Sequence, residues 1–151
     1  MGGGTVVRLL TLKPAVPEHA PLILEQCRDL ILRYEDLTQI NLERVLAWLD
    51  KKIRENISYY ICVYCEETPV AFFSLREEET QVELDDFYVL EPYRNRGFGS
   101  EILEECIAKT QKPIYLYVFT SNQGAIRLYE RYGFVKTREV SPTRIIMTRR
   151  P

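Results

Sequence analysis

Residues 81–90, Gln-Val-Glu-Leu-Asp-Asp-Phe-Tyr-Val-Leu, constrain the fold more than any other segment. A strand turns successive side chains to opposite faces. Its even positions are Val82, Leu84, Asp86, Tyr88 and Leu90, and its odd positions are Gln81, Glu83, Asp85, Phe87 and Val89. Both alternations are apolar toward the C-terminal end, so that end is expected to be buried on both sides. The same alternation puts Asp85 on the face of Glu83 and Asp86 on the opposite one. Pro92 stops the strand. A glycine-bearing turn, Arg94-Asn95-Arg96-Gly97-Phe98-Gly99-Ser100, then leads into a helix with Phe98, Ile102, Leu103, Cys106 and Ile107 on its inner face.

The remaining elements follow from the same signals. Val6–Leu12 reads as a first strand, ended by Pro14 and Pro17. Pro17 opens a helix, where its missing N–H costs nothing; Leu22, Ile23, Cys27, Leu30, Ile31 and Tyr34 give that helix one apolar face. Asn41 is an N-cap candidate for a second helix with the stripe Leu42, Val45, Leu46, Leu49 and Ile53. Strands are expected over Ile57–Cys65 and Pro69–Leu75, joined by a polar turn at 66–68. Beyond the third helix come a strand at Ile114–Thr120, a short helix capped by Ser121 or Asn122, and two closing strands, Phe134–Val140 and Thr143–Arg149. Gly133 is a natural residue just past a helix end. The expected organisation is a tail at 1–5 and one domain over 6–151, in the order β-α-α-β-β-β-α-β-α-β-β.

Composition narrows the function classes. The chain has 151 residues, 46% hydrophobic and 28% charged, with a net charge of -2; these are globular values, and they give no electrostatic footprint for nucleic acid. No apolar run reaches the ~18 residues of a membrane span. His19 is the single histidine, so any Ser-His or Cys-His nucleophile would depend on a residue that reads as a helix start. Cys62 and Cys65 form a C-x-x-C within a strand pattern, where residues three apart face opposite ways. No second cysteine pair completes a zinc site, and no secretory leader is recognisable, so free thiols in a reducing cytoplasm are expected. No metal is expected.

The turn at 94–100 is the candidate chemical feature. A helix start presents free N–H groups and partial positive charge. Glycine permits close approach of a ligand, and arginines add charge-assisted donors. The Rossmann pattern fails at Ile102, and the P-loop Gly-Lys-Ser/Thr is absent. Spacing alone leaves two readings open: an anion-binding turn, or an ordinary strand-to-helix turn with solvated arginines.

Arg94-x-x-Gly97-x-Gly99 resembles the Arg/Gln-x-x-Gly-x-Gly/Ala motif of the GNAT acyltransferases, which take acyl groups from coenzyme A. A second stretch, Asn122, Ala125 and Leu128-Tyr129-Glu130-Arg131-Tyr132-Gly133-Phe134, resembles that family's Asn-x-x-Ala…Leu-Tyr-Glu-(Lys/Arg)-x-Gly-Phe signature. The resemblance implies an α+β fold (a mixed α/β sandwich): the acyl-CoA N-acyltransferase fold, with about seven strands in a twisted mixed sheet whose fourth and fifth strands are parallel and splayed. It implies that acetyl-CoA is the donor, with the pantetheine arm on Phe87, Tyr88 and Val89, and the diphosphate on Arg94, Asn95, Arg96, Gly97, Phe98, Gly99 and Ser100. Asn122, Ala125 and Tyr129 would complete the cofactor site.

For catalysis the resemblance implies that Tyr129 protonates or hydrogen-bonds the leaving thiolate, and that the Val89 N–H supports the oxyanion. Glu83 falls on the position of the catalytic glutamate of histone-type members, with Asp85, Asp86 or water as the other bases. Where ribosomal-protein N-terminal acetyltransferases carry a glutamate, this chain has Tyr117. The expected activity is N-acetylation of a primary amine, on a small molecule or on a protein N-terminus or lysine; the alternative is a catalytically silent acyl-CoA-binding module. The acidic stretch around 77–86 would favour a cationic acceptor or stand as a solvated hairpin. The acceptor cleft would lie between Tyr34–Ile53 and Val140–Thr143, and dimerisation through the C-terminal strands is a further implication. No membrane or nucleic-acid partner is expected.

Overall fold

The structure, a computed structural model, describes residues 10–151. The expected tail at 1–5, and the start of the expected Val6–Leu12 strand, lie outside these residues. Seven strands form one sheet: β1 Leu10–Pro14, β2 Tyr60–Cys65, β3 Thr68–Glu77, β4 Val82–Val89, β5 Ile114–Phe119, β6 Val135–Ser141 and β7 Arg144–Arg149. The helices are α1 Ala20–Tyr34, α2 Leu42–Glu55, α3 Phe98–Ala108 and α4 Gln123–Arg131. The strand order is β1-β2-β3-β4-β5-β7-β6, and only β4 and β5 run parallel. This is the α+β arrangement expected from the sequence.

Helices cover both faces of the sheet, so β4 meets a core on each side, but its C-terminal end is buried less than expected: Tyr88 is buried, while Phe87, Val89 and Leu90 are half-buried because the cleft opens there. One face of the sheet carries a core of Val63, Phe73, Ile102, Leu103, Ile114 and Phe134 under α3 and α4. The other carries Ile23, Leu49, Ile53, Tyr60, Cys62 and Phe72 under α1 and α2. Cys62 and Cys65 belong to opposite faces, and the four cysteines are free thiols.

Local signals act where the sequence placed them. Asn41 Oδ1 accepts from Arg44 N–H at 3.1 Å, and Asn122 Oδ1 accepts from Ala125 N–H at 3.3 Å. Each such cap is worth ~1 kcal/mol. Gly133 has φ 90°, the left-handed conformation, and lets the N–H of Phe134 turn back to Tyr129 O at 3.1 Å. His19 Nδ1 accepts from Val16 N–H at 3.0 Å, so the lone histidine closes the turn that starts α1.

Most strand boundaries shift from expectation by one or two residues, and two of the differences have a plain cause. β1 continues through Pro14, which pairs with Ile61; at a sheet edge the missing N–H breaks no ladder bond. β2 begins at Tyr60 because Ile57–Tyr59 is a 3-10 turn, closed by Tyr59 N–H to Asn56 O at 2.9 Å, which satisfies the end of α2.

The glycines of α4 and its exit should respond with opposite sign. A Cβ added at Gly124 meets nothing within 4 Å, whereas Gly133 is held at φ +90°. Gly124→Ala is expected to stabilise by about 0.4–1 kcal/mol through the unfolded chain. Gly133→Ala is expected to cost about 1–2 kcal/mol. Equilibrium urea denaturation of the two variants checks both signs.

Candidate active site

β4 pairs with β5 at only two positions, Val82↔Ile114 and Glu83↔Tyr115. Beyond them the strands part. The cause lies in β4, where Ser74↔Asp85 and Phe72↔Tyr88 leave one extra residue opposite β3. Asp86 takes φ 47° there, in the left-handed region that aspartate tolerates better than most side chains. Such a bulge bends and further twists its strand. It also overturns the simple alternation: Asp85 and Asp86, expected on opposite faces, both reach Lys52 Nζ, at 2.5 and 3.3 Å.

After the bulge, Leu90 N–H donates to Val70 O at 2.9 Å. By alternation the backbone groups of Phe87 and Val89 therefore face away from β3, into the gap. The gap opens into a cleft of about 560 Å³ bounded by the end of β4, the start of α3 and one side of α4. This is the size of a small-molecule site. Of the cofactor positions expected from the sequence, Phe87, Tyr88, Val89, Arg94, Asn95, Gly97, Phe98, Gly99, Ser100, Asn122, Ala125 and Tyr129 line the cleft. Arg96 does not line it; its guanidinium lies 5.6 Å from the Tyr93 ring centroid.

The N-terminus of α3 is built for close approach. Gly97 caps it at φ 84°. The first helical bond runs from Glu101 N–H to Gly97 O at 3.1 Å, so the N–H groups of Gly99 and Ser100 have no intrahelical acceptor. Arg94 is tied inward. Its Nε donates to Val89 O at 3.0 Å, its Nη2 donates to the Tyr88 hydroxyl, and Asp29 Oδ2 lies 3.7 Å from the same nitrogen. Tyr88 in turn donates to Asp29. Burial, with that acceptor, pushes the Tyr88 phenol up to about 12. Burial opposes the Asp29 charge, but the Tyr88 hydrogen bond and the Arg33 and Arg94 charges outweigh it and hold the carboxyl low.

Tyr129 sits where α4 faces the gap. It is buried and packs on Phe134, with ring centroids 5.6 Å apart. It lines both the large cleft and a second cavity of about 130 Å³ between the parted strands. Burial pushes its phenol up, so it stays protonated at neutral pH. Asp85, Asp86, Tyr117, Phe119 and Arg144 also line the smaller cavity. Glu83 lines neither cavity; it lies one bulge earlier, where β4 and β5 still pair. Burial, and then Asp85, push its carboxyl up.

The bulged carboxylates are the electrostatic knot of the site. Asp86 Oδ2 accepts from Tyr60 at 2.5 Å and from Lys52 at 3.3 Å, and its Oδ1 lies 3.5 Å from Cys27 Sγ. Burial and then Asp85 push its carboxyl up, against Lys52 and Tyr60. Burial opposes the Lys52 charge, but Asp86 and Asp85 outweigh it and raise the ammonium. Sequence reading missed Lys52, Tyr60 and Asp29 because each belongs to an element distant in the chain.

A family model described as acetyltransferase (GNAT) family matches residues 24–134. The chain belongs to this family. Spermine/spermidine N(1)-acetyltransferase of Bacillus subtilis is 41% identical over 59 residues, which is 36% of this chain and 39% of that protein. The match thus spans about two-fifths of that relative's length. An uncharacterised N-acetyltransferase of the Bacillus subtilis SPbeta prophage, YokL, is 26% identical over 140 residues, covering 84% of this chain and 76% of that one. Among solved structures, the PaiA N-acetyltransferase of Thermoplasma acidophilum in complex with coenzyme A superposes with a TM-score of 0.74 at 17% identity, over 95% of this chain and 99% of that one. That likeness establishes a shared fold.

Lys52→Met tests the knot. It strands two carboxylates, one of them deep, and is expected to cost about 1–3 kcal/mol at neutral pH. Without the ammonium, burial raises the Asp86 pKa further. The folded variant then takes up a proton that the unfolded chain does not, so its stability rises as pH falls. Urea denaturation should show the deficit largest at pH 7.5 and clearly smaller near pH 5. A pH-independent deficit would show that Lys52 contributes packing alone.

Proposed function

We propose that this GNAT member transfers an acetyl group from acetyl-CoA to a primary amine. The observation that carries this reading is the unpaired backbone of Phe87 and Val89, opening between the start of α3 and the inner face of α4. An unpaired strand edge is a template for another extended chain, and the amide-bearing pantetheine arm is such a chain. Gly99 and Ser100 N–H groups then meet the diphosphate at the helix N-terminus. Arg94 supports that turn from below through Val89 O and Asp29, and Arg96 meets phosphate from the rim. The 59-residue likeness to a polyamine acetyltransferase supports an amine acceptor.

The chemistry follows the geometry. The thioester carbonyl lies at the gap, with the Val89 N–H as oxyanion donor. The amine enters from the smaller cavity, beside Asp85 and Asp86. Tyr129 stands between the two cavities and gives the departing thiolate its hydrogen bond, an interaction that strengthens as charge develops on sulfur. Glu83 takes the amine proton through water from below the bulge. Burial raises its pKa, which makes it a better proton acceptor than an ordinary carboxylate.

Acetyl-CoA with a panel of primary amines, followed by free-thiol release, tests the activity; no amine-dependent release would contradict it. Tyr129→Phe keeps the buried ring and removes the donor. It is expected to lower kcat by about 10²–10⁴-fold, with acetyl-CoA affinity and thermal stability nearly unchanged. Full activity in this variant would return Tyr129 to a packing role.

Glu83→Gln is expected to lower turnover and remove the acidic limb of the pH–rate profile, because a base works only above its pKa. Asp85→Asn should leave that limb in place. If the two variants exchange behaviours, the base is Asp85.

A further inference from the structure

Arg144 is the one basic side chain among the described residues that line the smaller cavity. Its guanidinium lies 4.9 Å from the Tyr117 ring centroid and 5.8 Å from that of Phe119. Ring stacking fixes the plane of a guanidinium and uses none of its N–H donors. Arg144 makes no ion pair with a carboxylate of the described residues. Among the described residues it is a cation held by ring stacking, with no side-chain acceptor for its donors.

The opposite wall carries acids. Asp85 and Asp86 put two acids on the β4 side, and Lys52 Nζ contacts both, at 2.5 and 3.3 Å. The cavity therefore has an acidic wall on β4 and a basic one on β7. A polyamine would bring a second cation against Arg144. An amine that also bears a carboxylate satisfies both walls, since the planar fork of arginine matches a carboxylate bidentately.

We propose that the acceptor is a small primary amine carrying a carboxylate, and that Arg144 binds that carboxylate; this rests on the acyl-transfer reading. The amine nitrogen, at the β4 side, attacks the thioester carbon. The C–N bond forms and the C–S bond breaks. The bound ammonium first gives one proton through the base to solvent, so that the neutral nitrogen can attack; the nitrogen loses a second proton to the base as the tetrahedral adduct collapses, and the thiolate sulfur gains one. The product is an N-acyl amino carboxylate and free coenzyme A, with no further co-reactant.

The experiment compares matched pairs: free amino acids, the same amino acids as C-terminal amides, and spermidine, each with acetyl-CoA and the full chain. Wild type is expected to prefer the acids by about 10–100-fold in kcat/KM, the range of a charge-assisted contact. Arg144→Gln should erase that preference, chiefly by raising KM for the acids, while the amide KM and acetyl-CoA affinity change little. Amides or spermidine turned over as well as the acids would overturn the proposal. So would an Arg144→Gln protein that keeps the preference.

If Arg144→Gln does not fold, Arg144→Lys decides. It keeps the charge and loses the fork, and should forfeit most of the preference; retaining all of it overturns bidentate recognition. Calorimetry of the same pairs on the CoA-loaded protein separates the two readings. Acid binding that vanishes in the Arg144 variant, without turnover of any amine, supports the carboxylate site and removes the acyl-transfer reading alone. Equal binding of acids and amides overturns the site.

Discussion

One extra residue in β4 separates that strand from β5 after two paired positions. Everything functional in this fold hangs on that separation. Hydrogen bonds hold parallel neighbours together, and a left-handed residue in the ladder ends the register. Asp86 occupies that position, and its carboxylate is gripped by Tyr60 and Lys52 from the opposite side of the chain's topology. The bulge is thus stabilised by long-range contacts. The free backbone beyond it is a consequence of the same geometry.

Helices on both faces make the gap usable. α3 aims its N-terminus at the opening, and α4 presents Tyr129 across it. On the other face, α1 and α2 supply Asp29 and Lys52, which hold Arg94 and the bulged carboxylates. Each helix therefore brings one polar group to the strand that parts, and packs the rest of its inner face into a core. Stability and site geometry are coupled there: the charges that shape the gap are partly buried pairs, so removing one leaves its partner stranded.

Much of this was legible in the sequence, and the failures have a physical pattern. Element order, both asparagine caps and the helix-ending role of Gly133 are local properties, set by residues a few positions apart. Alternation failed at Asp85 and Asp86 because a bulge is fixed by the facing strand β3 and by Lys52, neither of which leaves a mark in residues 81–90. Arg94 shows the same limit. Its place in the turn follows from the motif, but its inward grip on Val89 O and Asp29 depends on α1. Arg144 carried no signal at all, since its place at the smaller cavity comes from β7 pairing with β5.

We propose that the unpaired edge of β4 receives the acyl-CoA arm. Titrating coenzyme A into ¹⁵N-labelled protein tests it at the atoms concerned. The largest amide shifts should fall at Phe87, Val89, Gly99, Ser100 and Ala125, with β1 and the β6–β7 tip unmoved. Saturable binding that leaves Phe87 and Val89 unshifted, or moves another edge of the sheet instead, would contradict it.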